Sequence, residues 1–221
     1  MNAVIFDFNG TLLFDTPKHA EAWDLFARKY AGRELTFAEY RDELAGKDNR
    51  STIEYFLGRE VSMEEYQRLS HEKEDFYLQL CEEDKEFTLA PGAAEYLDYL
   101  KEQHIPFMIA TSAEARNVDF YYRRFVLNRW FDREKDIICA DGTMPSKPHP
   151  AIYKKAMERL GVEPAQCRVY EDLATGIASA YAAGAGEIIA VASAALPEKL
   201  EQLPGVTYAI SDFTDERIRK F

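Results

Sequence analysis

At 221 residues, 47% apolar and 30% charged, the chain is long and apolar enough to bury a sizeable core as one large or two small domains. A net charge of −12 and a pI near 4.9, with basic residues scattered apart from Arg123-Arg124 and the C-terminus, argue against a nucleic-acid partner, which would demand clustered Lys and Arg. Three cysteines without a CxxC spacing favour neither a disulfide framework nor a thiolate metal site, and no apolar run approaches the roughly 18 residues of a membrane span, so the expectation is a soluble, unprocessed, cytoplasmic protein with no membrane partner.

The first predicted element is an apolar strand over residues 3 to 8, which carries Asp7 and breaks at Gly10-Thr11. Ligands of open α/β sheets bind outside the carboxyl ends of the strands, which makes the Asp7 carboxylate the first catalytic candidate. Asn9, two positions on, bears an amide and cannot exchange a proton as a general acid or base must. Residues 16 to 86 differ in texture: highly charged, rich in Glu, Tyr and Leu, and without a convincing buried strand. A helical insertion is predicted there, with Gly32, Gly46 and Gly58 separating its helices and a Ser62/Glu65 capping box opening a helix that reaches about Glu83. Its place directly after the first strand's turn suits a cap over the crevice. The domain reading is therefore an α/β core from 1–15 and 87–221, with a helical cap at 16–86.

Further along, short apolar runs at 106–111, 136–140, 167–171 and 187–192 read as buried strands, and helical patterns fall at 92–103, 114–126, 150–160 and 174–183. Strands alternating with helices predict right-handed crossovers and a doubly wound, Rossmann-like parallel sheet, with Gly161 and Gly184 as helix stops. The small residues around Gly176 and Gly184 are expected to let the last of these helices pack close to the sheet.

Polar groups cluster at the strand ends: Thr111-Ser112, Lys147 in "SKP", and Glu171-Asp172. Each has a plainer reading. Thr111 and Ser112 suit a helix cap, Pro150 a helix N1 position, and the acidic pair a helix start favoured by the dipole. Taken together they suit phosphoryl transfer, with Asp7 as nucleophile, Asp7 and Asp172 as oxygen ligands for Mg2+, and Lys147 and Thr111 holding phosphate oxygens.

Asp7 with Gly10-Thr11, "ATS" at 110–112, "SKPHP" at 146–150 and "YEDLATGIASAYAAG" at 170–184 resemble motifs one to four of the haloacid dehalogenase superfamily. The insertion resembles the helical cap of the subfamily that includes β-phosphoglucomutase and phosphoglycolate phosphatase. "FDTPKHAEAW" at 14–23 carries His19 and Trp23 at the spacing of the mutase branch. The resemblance implies Asp7 as nucleophile, Thr111 and Lys147 on the phosphoryl group, and Gly10, Thr11 and Ser112 beside it. It also implies Mg2+ held by Asp7, Asp172, Glu171 and the backbone carbonyl of Asn9. From the cap, His19, Trp23, Lys47, Asn49 and Arg50 become substrate-binding candidates, against the plain reading of a core tryptophan and a solvated helix start.

Two departures stand out. Asn9 replaces the second Asp with which the family's phosphatases and mutases move a proton, leaving Asp15 and His19 as substitute acids to weigh. Glu114 and Arg116 stand where β-phosphoglucomutase has a Lys and an Asn, which weakens a mutase assignment. The expectation is a Mg2+-dependent phosphohydrolase, a monomer or weak homodimer, acting on a small phosphorylated metabolite, first of all a sugar phosphate. A phosphomutase and a low-turnover phosphometabolite-binding protein are the alternatives.

Overall fold

The structure is a computed structural model that describes residues 1–140 and 142–221. Its chain divides into two compact units, Asp15–Phe87 and the pair of segments Met1–Phe14 and Thr88–Phe221.

The first unit is all helical. Helices α1 (Thr16–Tyr30), α2 (Phe37–Glu39, continuing into a π-helical turn over Tyr40–Leu44), α3 (Asn49–Leu57) and α4 (Met63–Glu83) surround a core that includes Trp23, Phe26, Ile53, Phe56 and Leu69. Capping sets two of the starts. The Asp48 side chain accepts from the Ser51 N–H at the head of α3, and the Ser62 side chain accepts from the Glu65 N–H at the head of α4. The buried positions of α4 are Leu69, Ser70, Lys73, Glu74, Tyr77 and Cys81, a helical stripe at three- and four-residue spacings that carries two charged residues on its inward face.

The second unit is built on one parallel sheet. Its strands are β1 (Ala3–Phe6), β2 (Phe107–Glu114), β3 (Ile137–Ala140), β4 (Cys167–Glu171), β5 (Glu187–Val191) and β6 (Val206–Ile210), in the order β3-β2-β1-β4-β5-β6. Helices α5 (Ala93–Glu102), α6 (Ala115–Arg124), α7 (Ala151–Leu160), α8 (Ala174–Ala182) and α9 (Pro197–Leu200) form the crossovers. Residues Ile5, Met108, Val169 and Ile188 pack against Ile152 and Ala156 of α7 and Ile177 and Ala180 of α8. Another apolar cluster stacks Phe6 on Tyr170 at 5.1 Å and joins Tyr96 to Tyr170 through their hydroxyls at 2.8 Å.

Three details differ from the sequence expectation. Strand β2 runs on to Glu114, re-pairing with Ala140 after a register shift that begins at Ala110, so Thr111 and Ser112 are strand residues and not caps of α6. A sixth strand, β6, lies at the sheet edge. Pro150 occupies the N-cap of α7, one residue before N1. No helix among the described residues is long and apolar enough to cross a membrane.

Candidate active site

The sheet register assembles the site. Strand β1 pairs with β4 from Ala3↔Cys167 to Phe6↔Tyr170, and the Asp7 N–H donates to the Tyr170 carbonyl at 3.0 Å, which brings Asp7 level with Glu171. Lys147, from the loop before α7, completes the group: its Nζ lies 2.7 Å from Asp7 Oδ1, 2.6 Å from Glu171 Oε1 and 3.3 Å from the Ala110 carbonyl. Burial on its own would pull the Lys147 pKa down, but the two carboxylates outweigh it and hold the ammonium charged well above its ordinary range.

Glu171 is held by several bonds. Its Oε1 also accepts from the Tyr153 hydroxyl at 2.6 Å, and its Oε2 accepts from the backbone N–H groups of Asp172 and Leu173 at 3.1 and 3.4 Å. Tyr153 is fully buried on α7, its ring 4.9 Å from the Lys147 ammonium. Burial first, and the Glu171 charge next, push the Tyr153 phenol far above its usual pKa, so it serves as a neutral donor.

Two glycines make room for the carboxylates. A Cβ on Gly10, which has φ +75°, would stand 1.9 Å from Asp172 Oδ2, and one on Gly176 would stand 1.9 Å from Glu171 Oε1. Gly176 therefore serves the Glu171 carboxylate, which the expectation of close helix-to-sheet packing did not anticipate. The turn after β1 is closed by the Phe8 carbonyl, which accepts from Thr11 N–H at 3.2 Å and Leu13 N–H at 3.0 Å.

Asn9 has a definite partner: its Nδ2 donates to the Tyr121 hydroxyl at 2.8 Å, and the Tyr121 ring stacks on Phe8 at 4.8 Å. Thr111 is buried at the end of the sheet's inner strands, its Oγ1 accepting from the Ala113 N–H at 3.1 Å, while Ser112 is exposed. Thr11 is fully buried, and its hydroxyl has no hydrogen-bond partner among the described residues.

Asp7, Glu171 and Asp172 offer ligand oxygens that lie within 4.8 Å of one another, all buried. An all-oxygen, carboxylate-rich set of this kind fits a hard divalent cation such as Mg2+, and the two glycine cradles that admit the carboxylates agree with that.

The candidates from the helical unit separate into two groups. His19, Trp23 and Asn49 gather about the buried pair Lys73 and Glu74, whose charged atoms are 2.8 Å apart. Lys73 Nζ lies 2.9 Å from His19 Nδ1 and 5.2 Å from the Trp23 ring centroid, and Asn49 Nδ2 donates to Glu74 Oε1 at 3.1 Å and Ser70 Oγ at 3.0 Å. His19 stacks flat on Tyr77 at 4.0 Å, and Tyr77 and His19 both reach Asp15 Oδ2, at 2.6 and 3.3 Å. Lys47 is exposed near the Tyr55 ring, and Arg50 pairs with Glu54 and donates to the Val61 carbonyl.

Tyr153, Tyr121, Lys73, Glu74 and Tyr77 escaped the sequence reading. The last three carry a usable signal, since polar residues falling on the apolar period of α4 mark an inward polar network. Tyr121 and Tyr153 carry none, because a tyrosine on an amphipathic helix reads as core.

Comparison with known proteins shows the family. The family described as haloacid dehalogenase-like hydrolase matches residues 1–184. The phosphorylated carbohydrates phosphatase of Thermotoga maritima is 31% identical over 216 residues, covering 96% of this chain and 88% of the relative. The β-phosphoglucomutase of Bacillus subtilis is 30% identical over 190 residues, covering 83% and 80%. A haloacid dehalogenase hydrolase of family IA, variant 3, from Entamoeba histolytica superposes with a TM-score of 0.91 at 41% identity over 97% of this chain and 94% of its own.

Proposed function

Since the chain belongs to the haloacid dehalogenase-like hydrolases and is an enzyme of their phosphatase type, we propose that it is a Mg2+-dependent phosphohydrolase of small phosphorylated carbohydrates that works through a phospho-Asp7 intermediate. The observation that carries the reading is the Lys147 ammonium held between Asp7 and Glu171 at the carboxyl edge of the sheet, with Asp172 beside them. A phosphoryl group brought to Asp7 meets this fixed cation, and positioning with charge stabilisation supplies most of the catalysis such a transfer needs. Asp7 and Asp172, with the Asn9 carbonyl, would hold Mg2+, which would supply neutralisation of charge on the phosphoryl oxygens. Thr111 and Ser112 at the end of β2, with Gly10 and Thr11, line the phosphate position. The helical unit serves as the cap, and His19, Trp23, Asn49, Lys47 and Arg50 are its substrate-reading candidates. The carbohydrate preference rests on the Thermotoga relative's name.

The test is Mg2+-dependent phosphate release from a panel of sugar phosphates, with Asp7→Asn alongside and acid-quenched protein analysed for phosphate on Asp7. Turnover that Asp7→Asn abolishes supports the reading. Binding of inorganic phosphate without turnover of any panel member replaces it with the low-turnover binding protein, the alternative that Asn9 favours.

A further inference from the structure

Three proton-bearing side chains at the site donate to other groups of the protein, and the hydroxyls of Thr11 and Thr111 beside them are alcohols that surrender no proton at neutral pH. Lys147 donates to Asp7, Glu171 and the Ala110 carbonyl, Tyr153 donates to Glu171, and the Asn9 amide donates to Tyr121. An amide in any case surrenders no proton at neutral pH, and the Tyr121 hydroxyl, on a ring stacked against Phe8, fixes it in place. The acids nearest in sequence are engaged by other groups: Asp15 accepts from the Tyr77 hydroxyl and lies 3.3 Å from His19 Nε2, and His19 Nδ1 lies 2.9 Å from Lys73 Nζ.

This arrangement has a consequence for the bond that breaks. Asp7 Oδ attacks phosphorus, the bond from phosphorus to the leaving oxygen breaks, and its electron pair stays on that oxygen. An alcohol leaves as an alkoxide, a far stronger base than a carboxylate, so it needs a proton in the transition state. A carboxyl oxygen leaves as a carboxylate, of pKa about 4, and needs none. In the second half-reaction water adds to phosphorus, the bond to Asp7 breaks with its pair returning to the carboxylate, and the proton of water passes to a phosphoryl oxygen. Phospho-Asp7 is itself an acyl phosphate, so this step also releases a carboxylate.

We propose that the site selects substrates by leaving group, and that its preferred class is acyl phosphates, whose leaving oxygen departs without a proton, over phosphate esters of sugar hydroxyls. The proposal rests on the phospho-Asp7 reading above and puts acyl phosphates ahead of the sugar esters as its preferred substrates.

The experiment compares acetyl phosphate, 4-nitrophenyl phosphate and glucose 6-phosphate with the whole protein in Mg2+, correcting for spontaneous hydrolysis and quenching samples in acid to detect phospho-Asp7. The expected kcat/KM for acetyl phosphate exceeds that for glucose 6-phosphate by about 10²-fold or more, the span that general acid assistance covers. Asn9→Asp, nearly isosteric, is expected to close most of that gap by raising kcat on glucose 6-phosphate. The wild-type ratio needs no variant and stands whether or not Asn9→Asp folds well. Equal kcat/KM for the two substrates, with phospho-Asp7 formed, overturns the leaving-group proposal and leaves the phosphatase reading intact. No phosphate release and no phospho-Asp7 from any of the three overturns both.

Discussion

Tyr153 shows how much of the site depends on a single hydroxyl. It shares Glu171 Oε1 with Lys147, so the carboxylate that steers the ammonium toward Asp7 is itself steered from α7. Tyr153→Phe keeps the ring beneath the ammonium and removes only the donor. A hydrogen bond to a charged group is worth about 1.5–3 kcal/mol, and urea unfolding should show a loss of that order. Outer groups that orient a metal site typically cost about 10- to 100-fold in activity or metal affinity when removed, and Mg2+ titration by calorimetry checks that half of the prediction. The strand-end residues Asp7, Thr111, Lys147, Glu171 and Asp172 are legible in the sequence because parallel topology gathers strand ends from distant segments. The tyrosines are not, since their partners lie 18 positions away for Tyr153 and 112 for Tyr121, and nothing in local pattern links such pairs. The glycine cradles were equally hidden, because a missing Cβ declares its purpose only when the neighbouring carboxylate is in place.

At the level of elements, the inner strands are readable because a strand buried on both faces is a continuous apolar run, as in "AVIF" of β1. Strand β6 escapes that template: Thr207 is exposed, Val206 and Tyr208 are half-buried, and only Ala209 and Ile210 are fully covered. The polar end of β2 escapes for a similar reason, since "TSAE" resembles a helix cap while its backbone still pairs with β3. Caps are the better sequence signal, and α3 offers a measurable one. Burial alone would raise the Asp48 pKa, but hydrogen bonds from the Ser51 N–H and hydroxyl, at 2.9 and 2.8 Å, lower it below the usual carboxylate value. A depressed folded pKa contributes stability that is present above the unfolded value of about 3.9 and lost as pH falls through the folded one. Asp48→Ala should therefore cost about 1 kcal/mol at pH 7, with the gap to wild type closing as the pH drops below about 4. Denaturant melts across that pH range give the answer.

For the molecule as a whole, the C-terminal segment is tied to the central sheet. Arg168 of β4 is buried, pairs with Glu187, donates to the carbonyls of Ile218 and Lys220 at 2.5 Å each, and lies 4.4 Å from the Phe221 ring. Deleting residues 218–221 strands a guanidinium in the interior, and the melting temperature should fall by about 5–10 °C, as calorimetry would record. The two compact units have separate cores, so each meets its own packing requirement. Where the chain leaves the α/β unit and where it returns, the Ala90 N–H donates to the Leu12 carbonyl at 2.9 Å. That bond belongs to the sheet unit alone, and it fastens exit to re-entry whatever lies between them. Because closure entropy grows only slowly with loop length, the junction works as a socket. An insert longer or shorter than the 73 residues from Asp15 to Phe87 would therefore change the cost of closing that junction only slightly.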